Sequence, residues 1–256
     1  MGTIAVAVAF YMIFVFLLAW IREDNSVVDI AWGGGFILVA LVSLLGAGSI
    51  VIRPLIVTVL VSIWGVRLSL HIFLRNRGRG EDFRYQAWRD SWGKWFRLRS
   101  FFQIFMLQGA ILLVVALPVI LINRNPVPGM VWTDGLALAA WIFGFGFEVI
   151  SDRQLARFKQ NPENRGKIMT SGLWRYSRHP NYFGEATLWW GMSLFALAVP
   201  RGWIGLASPI LITLLLRFVS GVPLLEKKNA GNPGFIDYRS RTPVFVPWFP
   251  RGKSGS

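Results

Sequence analysis

Cysteine is missing from this 256-residue chain, and there are only two histidines, His71 and His179. The first absence excludes disulfides, a thiolate nucleophile and cysteine-held metal centres. With two histidines, no zinc site or other metal is expected. Charge is scarce and one-sided: 16% of residues are charged, 27 Lys and Arg against 13 Asp and Glu, for a formal net charge of +14. No G-x-G-x-x-G follows a strand pattern and no Walker sequence occurs, so neither common soluble nucleotide fold applies. Internal repeats and low-complexity runs are also lacking. Apolar residues are abundant: 54% of the chain is hydrophobic, with 13 Trp and 20 Phe, and the mean hydropathy is +0.49. That is too apolar for one soluble core of this size.

Seven apolar stretches approach the roughly 20 residues that cross about 30 Å of hydrocarbon: Ile4–Ile21, Val27–Leu45, Ile50–Leu74, Phe101–Ile122, Val131–Ile150, Phe183–Val199 and Trp203–Leu225. The sequence predicts an all-α integral membrane protein with seven transmembrane helices, residues 1–256 forming one domain. No basic residue precedes the first stretch and no small-residue cleavage site follows it, so it reads as a retained helix. Basic residues gather after the third span (Arg75 to Arg99), after the fifth (Arg153 to Arg178) and in the tail; the other turns carry Arg53, Arg124 and Arg201 singly. By the positive-inside rule the rich segments are cytoplasmic. The N-terminus is then outside and the C-terminus cytoplasmic, and most of the positive excess reflects topology, so no nucleic-acid partner is expected.

The densest chemistry lies in Gly172–Gly191, G-L-W-R-Y-S-R-H-P-N-Y-F-G-E-A-T-L-W-W-G. Arg175, Arg178, His179, Asn181, Tyr182 and Glu185 crowd the entry to an apolar run. Ionisable groups at mid-helix depth cost about 2.5–3.5 kcal/mol each, so they require partners, unless they serve only as interfacial anchors. Asp29 lies one turn inside the second span, before Trp32-Gly33-Gly34-Gly35, either as a solvated cap or as a pocket carboxyl. The glycines permit close approach of a ligand or of another helix. Arg67, His71 and Arg75 share one face of the third span. The segment from Gly80, with Asp82, Arg84 and Tyr85 and then Trp88, Trp92 and Trp95, either lies flat on the membrane or receives a polar ligand. Glu148 and Asp152 share a face of the fifth span, lining a cavity or pairing with Arg153 or Arg67. Arg217 falls within the seventh span and Glu226 closes it. The aromatic, proline-punctuated tail folds back against the membrane face.

These polar groups map to the cytoplasmic side, which points to a rim pocket where a soluble polar cofactor meets a lipid-soluble substrate. Its phosphates would be held by arginine and lysine directly, Arg175, Arg178, Arg241 and Lys159 among them, since the planar guanidinium fork suits them. Tyr176, His179, Tyr182 and Glu226 complete the wall.

Gly172–Gly191, with Asp152-Arg153-Gln154-Leu155 before it and Tyr238–Pro250 after it, resembles the C-terminal half of the membrane steroid 5α-reductase superfamily, most closely its bacterial steroid 5α-reductase-like branch. The likeness covers residues 140–250 well. D-x-x-W-G at Asp29–Gly33 and D-x-R-Y at Asp82–Tyr85 are similar to that branch alone. The resemblance implies seven helices in a bacterial inner membrane, a site facing the cytoplasm, a cofactor-binding C-terminal half (140–250), NADPH as cofactor, and reduction of an activated C=C in a steroid-like enone or other lipid. It places Asp152, Asn181, Glu185, Trp189 and Tyr238 on cofactor-contacting positions, and Arg75 beside them. Such reductases hold the substrate carbonyl with a Glu on the second helix and a Tyr on the third; here Ile72 stands where the Tyr is expected, and Asp29 and His71 are the catalytic candidates. Isoprenylcysteine and phospholipid methyltransferases are similar in their R-H-P-x-Y-x-G core and a later acidic residue, here Glu226, which implies S-adenosylmethionine as the alternative cofactor. A non-catalytic lipid-binding protein is the third reading.

Overall fold

Apolar side chains in runs of 19 to 33 residues build six helices long enough to cross a membrane in the computed structural model, which describes residues 1–49 and 51–251. Helix accounts for 78% of the protein, and the described residues hold no strand. The six are α1 (Gly2–Arg22), α2 (Val27–Leu45), α3 (Ile52–Asn76), α4 (Phe83–Val115), α6 (Trp132–Gln160) and α8 (Gly202–Asn229). Three shorter helices join them: α5 (Leu117–Arg124), α7 (Pro180–Ala196) and α9 (Pro233–Arg241). Large apolar side chains such as Phe10, Phe14, Val66, Ile142 and Phe218 are exposed along the spans. Water would not tolerate that surface, and lipid does.

Two segments need more description than hydropathy gives. The stretch expected as a sixth span is α7, 17 residues long, or about 25 Å at about 1.5 Å per residue. Trp190 is its only exposed residue. The aromatic segment from Gly80, read as lying flat on the membrane or as receiving a polar ligand, is helical from Phe83 and forms the first part of α4. The Asp82 side chain caps it by accepting from the Arg84 amide at 3.0 Å. No proline interrupts it, and helix continues through a 3₁₀ turn at Gly93–Trp95 and a π-helical turn at Phe101–Met106. Pro118, at the start of α5, ends that run.

The chain divides into two compact units, Met1–Val131 with Phe195–Ala207, and Trp132–Leu194 with Ser208–Ser256. In the first, α2 and α3 meet at glycines: a Cβ on Gly33 would fall 2.1 Å from the Gly65 carbonyl oxygen. Phe36 packs edge-on to Trp64 at 5.2 Å. The buried Asn123 amide donates to Ala40 O, Ser43 Oγ and Thr58 Oγ1 at 3.0–3.1 Å, pinning α5 to α2 and α3. Val15, Ala19, Val28, Tyr85, Ile104 and Phe105 form a core between α1, α2 and α4. In the second unit the close approach is between α6 and α7, where a Cβ on Gly184 would lie 2.6 Å from both Gly144 O and Glu148 N. The Gly184 of the dense motif is therefore a packing requirement.

Candidate functional site

Each unit carries its own cluster of polar groups. In the first, the start of α2 is tied to the start of α4. Asp29 accepts from Arg84 Nη2 at 2.6 Å and from the Tyr85 hydroxyl at 2.8 Å. Arg84 also donates through Nε to Asp82 Oδ1 at 2.8 Å. Ser26 Oγ accepts from the Asp82 amide at 2.8 Å, and Glu81 takes the Asn25 amide at 2.8 Å and a two-pronged bond from Arg89 at 2.9 and 3.0 Å. Tyr85 is 2% exposed. Burial would push the Asp82 carboxyl up, but the Arg84 hydrogen bonds and the Arg84 and Arg75 charges outweigh it and hold the group below its ordinary value. Asp29 is thus neither a solvated cap nor a lone acid; it is the acceptor for a guanidinium and a phenol. His71 lies half-buried on α3, one turn before Arg75.

In the second unit the segment Trp174–His179 is clasped by α9 and the tail. Tyr238 donates its hydroxyl to the Trp174 carbonyl, with Ser177 O at 3.2 Å. Ser177 Oγ donates to Phe245 O at 2.7 Å and accepts from the His179 amide at 3.1 Å. The Arg178 amide donates to Pro243 O at 2.9 Å, and its Nη1 to Arg239 O at 2.8 Å. The Trp248 amide donates to Tyr176 O at 2.9 Å. At the centre is Glu226: Arg178 Nε and His179 Nε2 lie 3.0 and 3.3 Å from Oε1, and Arg239 Nε lies 3.9 Å from Oε2. The Arg178 Nε hydrogen is not aimed along its short contact and is buried without an acceptor. Burial pushes the Arg178 guanidinium down from its ordinary value; the Arg239 and Arg217 charges act the same way, and Glu226 opposes them. Asn181 donates to Asp152 Oδ1 at 3.2 Å, and the His179 and Tyr182 rings stack 5.7 Å apart.

Residues 15–242 match the family model described as "Protein of unknown function (DUF1295)". The chain belongs to this DUF1295 family. It is also similar to the Schizosaccharomyces pombe "Uncharacterized protein C594.04c", 26% identical over 220 residues that take in 76% of this chain and 63% of that one. This DUF1295 chain therefore spans a little under two thirds of the length of that relative. No solved structure matches it.

Of the residues singled out in the sequence, the fold gathers Asp29, Asp82, Arg84 and Tyr85 in the first unit, and Asp152 with Asn181 and Arg178, His179, Glu226 and Tyr238 in the second. Glu185 and Trp189 are buried on α7, Trp189 completely. Arg175 is exposed over the Tyr176 ring at 6.0 Å, Lys159 is exposed near the end of α6, and Arg241 pairs with Asp237 on α9. Three participants escaped sequence reasoning: Ser177, which joins motif to tail, Arg239, and Tyr85 as the partner of Asp29. The D-x-R-Y spacing was the available signal for Tyr85, since a capping Asp82 turns Arg84 and Tyr85 into the first helical turn.

Proposed function

We propose that this protein is a membrane-embedded, NADPH-dependent reductase of an activated C=C in a lipid-soluble enone. The observation that carries it is the Tyr85 hydroxyl held at 2.8 Å by Asp29, itself ion-paired with Arg84 at 2.6 Å. A carboxyl on the second helix and a phenol together match the carbonyl-binding pair that the likeness to steroid 5α-reductases implies. The phenol comes from the start of α4, in place of the tyrosine absent at Ile72. Before substrate binds, the single Tyr85 O–H donates to Asp29; in the reaction it turns from Asp29 to the substrate carbonyl as enolate charge develops. Arg84 answers the Asp29 charge and Asp82 orients Arg84, so Asp29 keeps its ion pair when the phenol turns away.

The second unit fits a dinucleotide by its donor set: the buried, unaccepted Nε hydrogen of Arg178, the Asn181 amide and the stacked His179 and Tyr182 rings. NADPH, when bound, supplies hydride for the β-carbon. The distribution of basic segments, with α7 counted as a seventh crossing, supports an N-terminus outside, a cytoplasmic C-terminus and a site facing the cytoplasm. S-adenosylmethionine is less well served. Glu226, the carboxylate a sulfonium would use, has Arg178, His179 and Arg239 within 3.9 Å.

The test is calorimetry of the purified protein with NADPH and with S-adenosylmethionine, followed by NADPH oxidation against a panel of lipophilic enones. NADPH binding is expected, and Tyr85→Phe should lower kcat by about 2.7–4 kcal/mol of transition-state stabilisation, roughly 10²–10³-fold, with cofactor affinity unchanged. Equal loss of turnover and NADPH affinity would refute the role of Tyr85, and binding of S-adenosylmethionine alone would overturn the reaction.

A further inference from the structure

The tail of the second unit walls a cavity of about 590 Å³, within the range of roughly 300–1,000 Å³ usual for ligand sites. Arg178, Arg239, Arg241 and Arg251 line it together with the Trp248 and Phe249 rings, and no Asp or Glu does. Glu226 and Asp237 answer Arg178, Arg239 and Arg241 from outside the lining. Two carboxylates against four guanidinium groups leave a positive excess suited to an anion, and the planar fork of arginine favours a phosphate.

The tail also decides which phosphate. Val246, Trp248 and Phe249 are 62%, 70% and 71% exposed, although each neighbours a backbone anchor or a proline. The Trp248 amide is bonded to Tyr176 O and the Arg251 amide to Arg241 O, both at 2.9 Å, and Pro247 and Pro250 restrict the turns. This apolar knuckle is therefore held outward rather than left loose. A soluble phosphate ester has no use for it. Indole and phenyl rings beside guanidinium groups, in a chain with six apolar spans, are the side chains that settle at headgroup depth in a bilayer.

We propose that the cavity is a binding site for the headgroup phosphate of an anionic phospholipid, with Val246, Trp248 and Phe249 entering the acyl boundary beside it. The cavity shares Arg178 with the donor set of the reductase reading, and the lipid and NADP⁺ arms of the test below separate the two. Anionic lipid brings the phosphate to Arg239, Arg241 and Arg251, and the knuckle follows it into the interface, seating the tail segment that clasps Trp174–His179.

The absence of native cysteine provides the assay. Phe249→Cys, labelled with an environment-sensitive fluorophore, is reconstituted into phosphatidylcholine vesicles with and without phosphatidylglycerol. Blue-shifted emission is expected only with phosphatidylglycerol, and it should be lost in an Arg239→Gln/Arg251→Gln background. In parallel, native mass spectrometry of the unlabelled protein should show retention of phosphatidylglycerol over phosphatidylcholine of the same chains, weakened about fivefold for each guanidinium removed. Equal retention of the two lipids, or identical emission in the two kinds of vesicle, overturns the proposal. So does a full shift produced in lipid-free detergent by inorganic phosphate or by NADP⁺, which would give the cavity to a soluble ligand.

Discussion

Replacing Gly184 by alanine should destabilise the second unit without touching a charged group. The added Cβ would lie 2.6 Å from Gly144 O and from Glu148 N, and 3.1 Å from Glu148 Cα. Ordinary contact begins at 3.4 Å, so α6 and α7 must part by about 0.8 Å, and both blocking atoms are backbone, which no rotamer change can move. Overpacking of this kind typically costs about 1–3 kcal/mol. The same displacement would lengthen the Asn181–Asp152 bond, 3.2 Å in the native chain, beyond hydrogen-bonding range. Gly146, on the same helix, is the control: nothing lies within 4 Å of its Cβ position. There an alanine should be neutral or stabilise by up to about 1 kcal/mol through helix propensity. Thermal unfolding in detergent, followed by loss of the monodisperse species, should rank Gly146→Ala at or above the native chain and Gly184→Ala clearly below it. Equal melting of the two variants would refute the backbone-contact account of the motif glycine.

Asp29→Ala should destabilise the first unit by about 3 kcal/mol, the low end for breaking a buried pair, because Arg84 keeps 26% of its side chain exposed; chemical denaturation in mixed micelles measures it. Asp82 confers acid sensitivity. Folding favours its charged form, so the stabilisation is complete above the ordinary aspartate value of about 3.9 and is lost as pH falls through the lower folded value. Asp82→Asn should therefore flatten the acid limb of the melting profile, and an unaltered limb would count against the Arg84 contacts as its cause. Ser177→Ala leaves Phe245 O and the His179 amide without their buried partner, a loss of about 1–3 kcal/mol. Limited proteolysis should then cut the tail between Arg241 and Arg251 faster than in the native protein, with the spans still resistant.

Much of this architecture was legible before any coordinates. α1, α2 and α3 fall within a few residues of their hydropathy limits, and the clasp of Gly172–His179 by the tail was foreshadowed by the density of polar groups on one side and of proline and aromatics on the other. The beginning of α4 was not legible. Trp, Arg and Asp in alternation suit a loop as well as a helix, and only the Asp82 cap and the ties of Arg84 and Tyr85 to Asp29 decide for the latter. Glu226 was marked for a cofactor role, and the fold sets three basic partners around it. None of the three pairings is visible in a linear pattern: Arg178 and His179 precede Glu226 by nearly fifty residues, and Arg239 follows it in another helix.

Composition and hydropathy alone settle that this chain is helical and membrane-embedded, because transfer into lipid is a sum over neighbouring residues and backbone hydrogen bonds in hydrocarbon must close locally. The tertiary structure decided which polar groups answer one another. Tyr85 finds Asp29 across 56 positions and Arg178 finds Arg239 across 61, and contacts of that separation depend on the path of the whole chain. The covering of α7, exposed only at Trp190, is likewise a matter of neighbours. A hydropathy sum counts what a segment contains and is blind to what surrounds it.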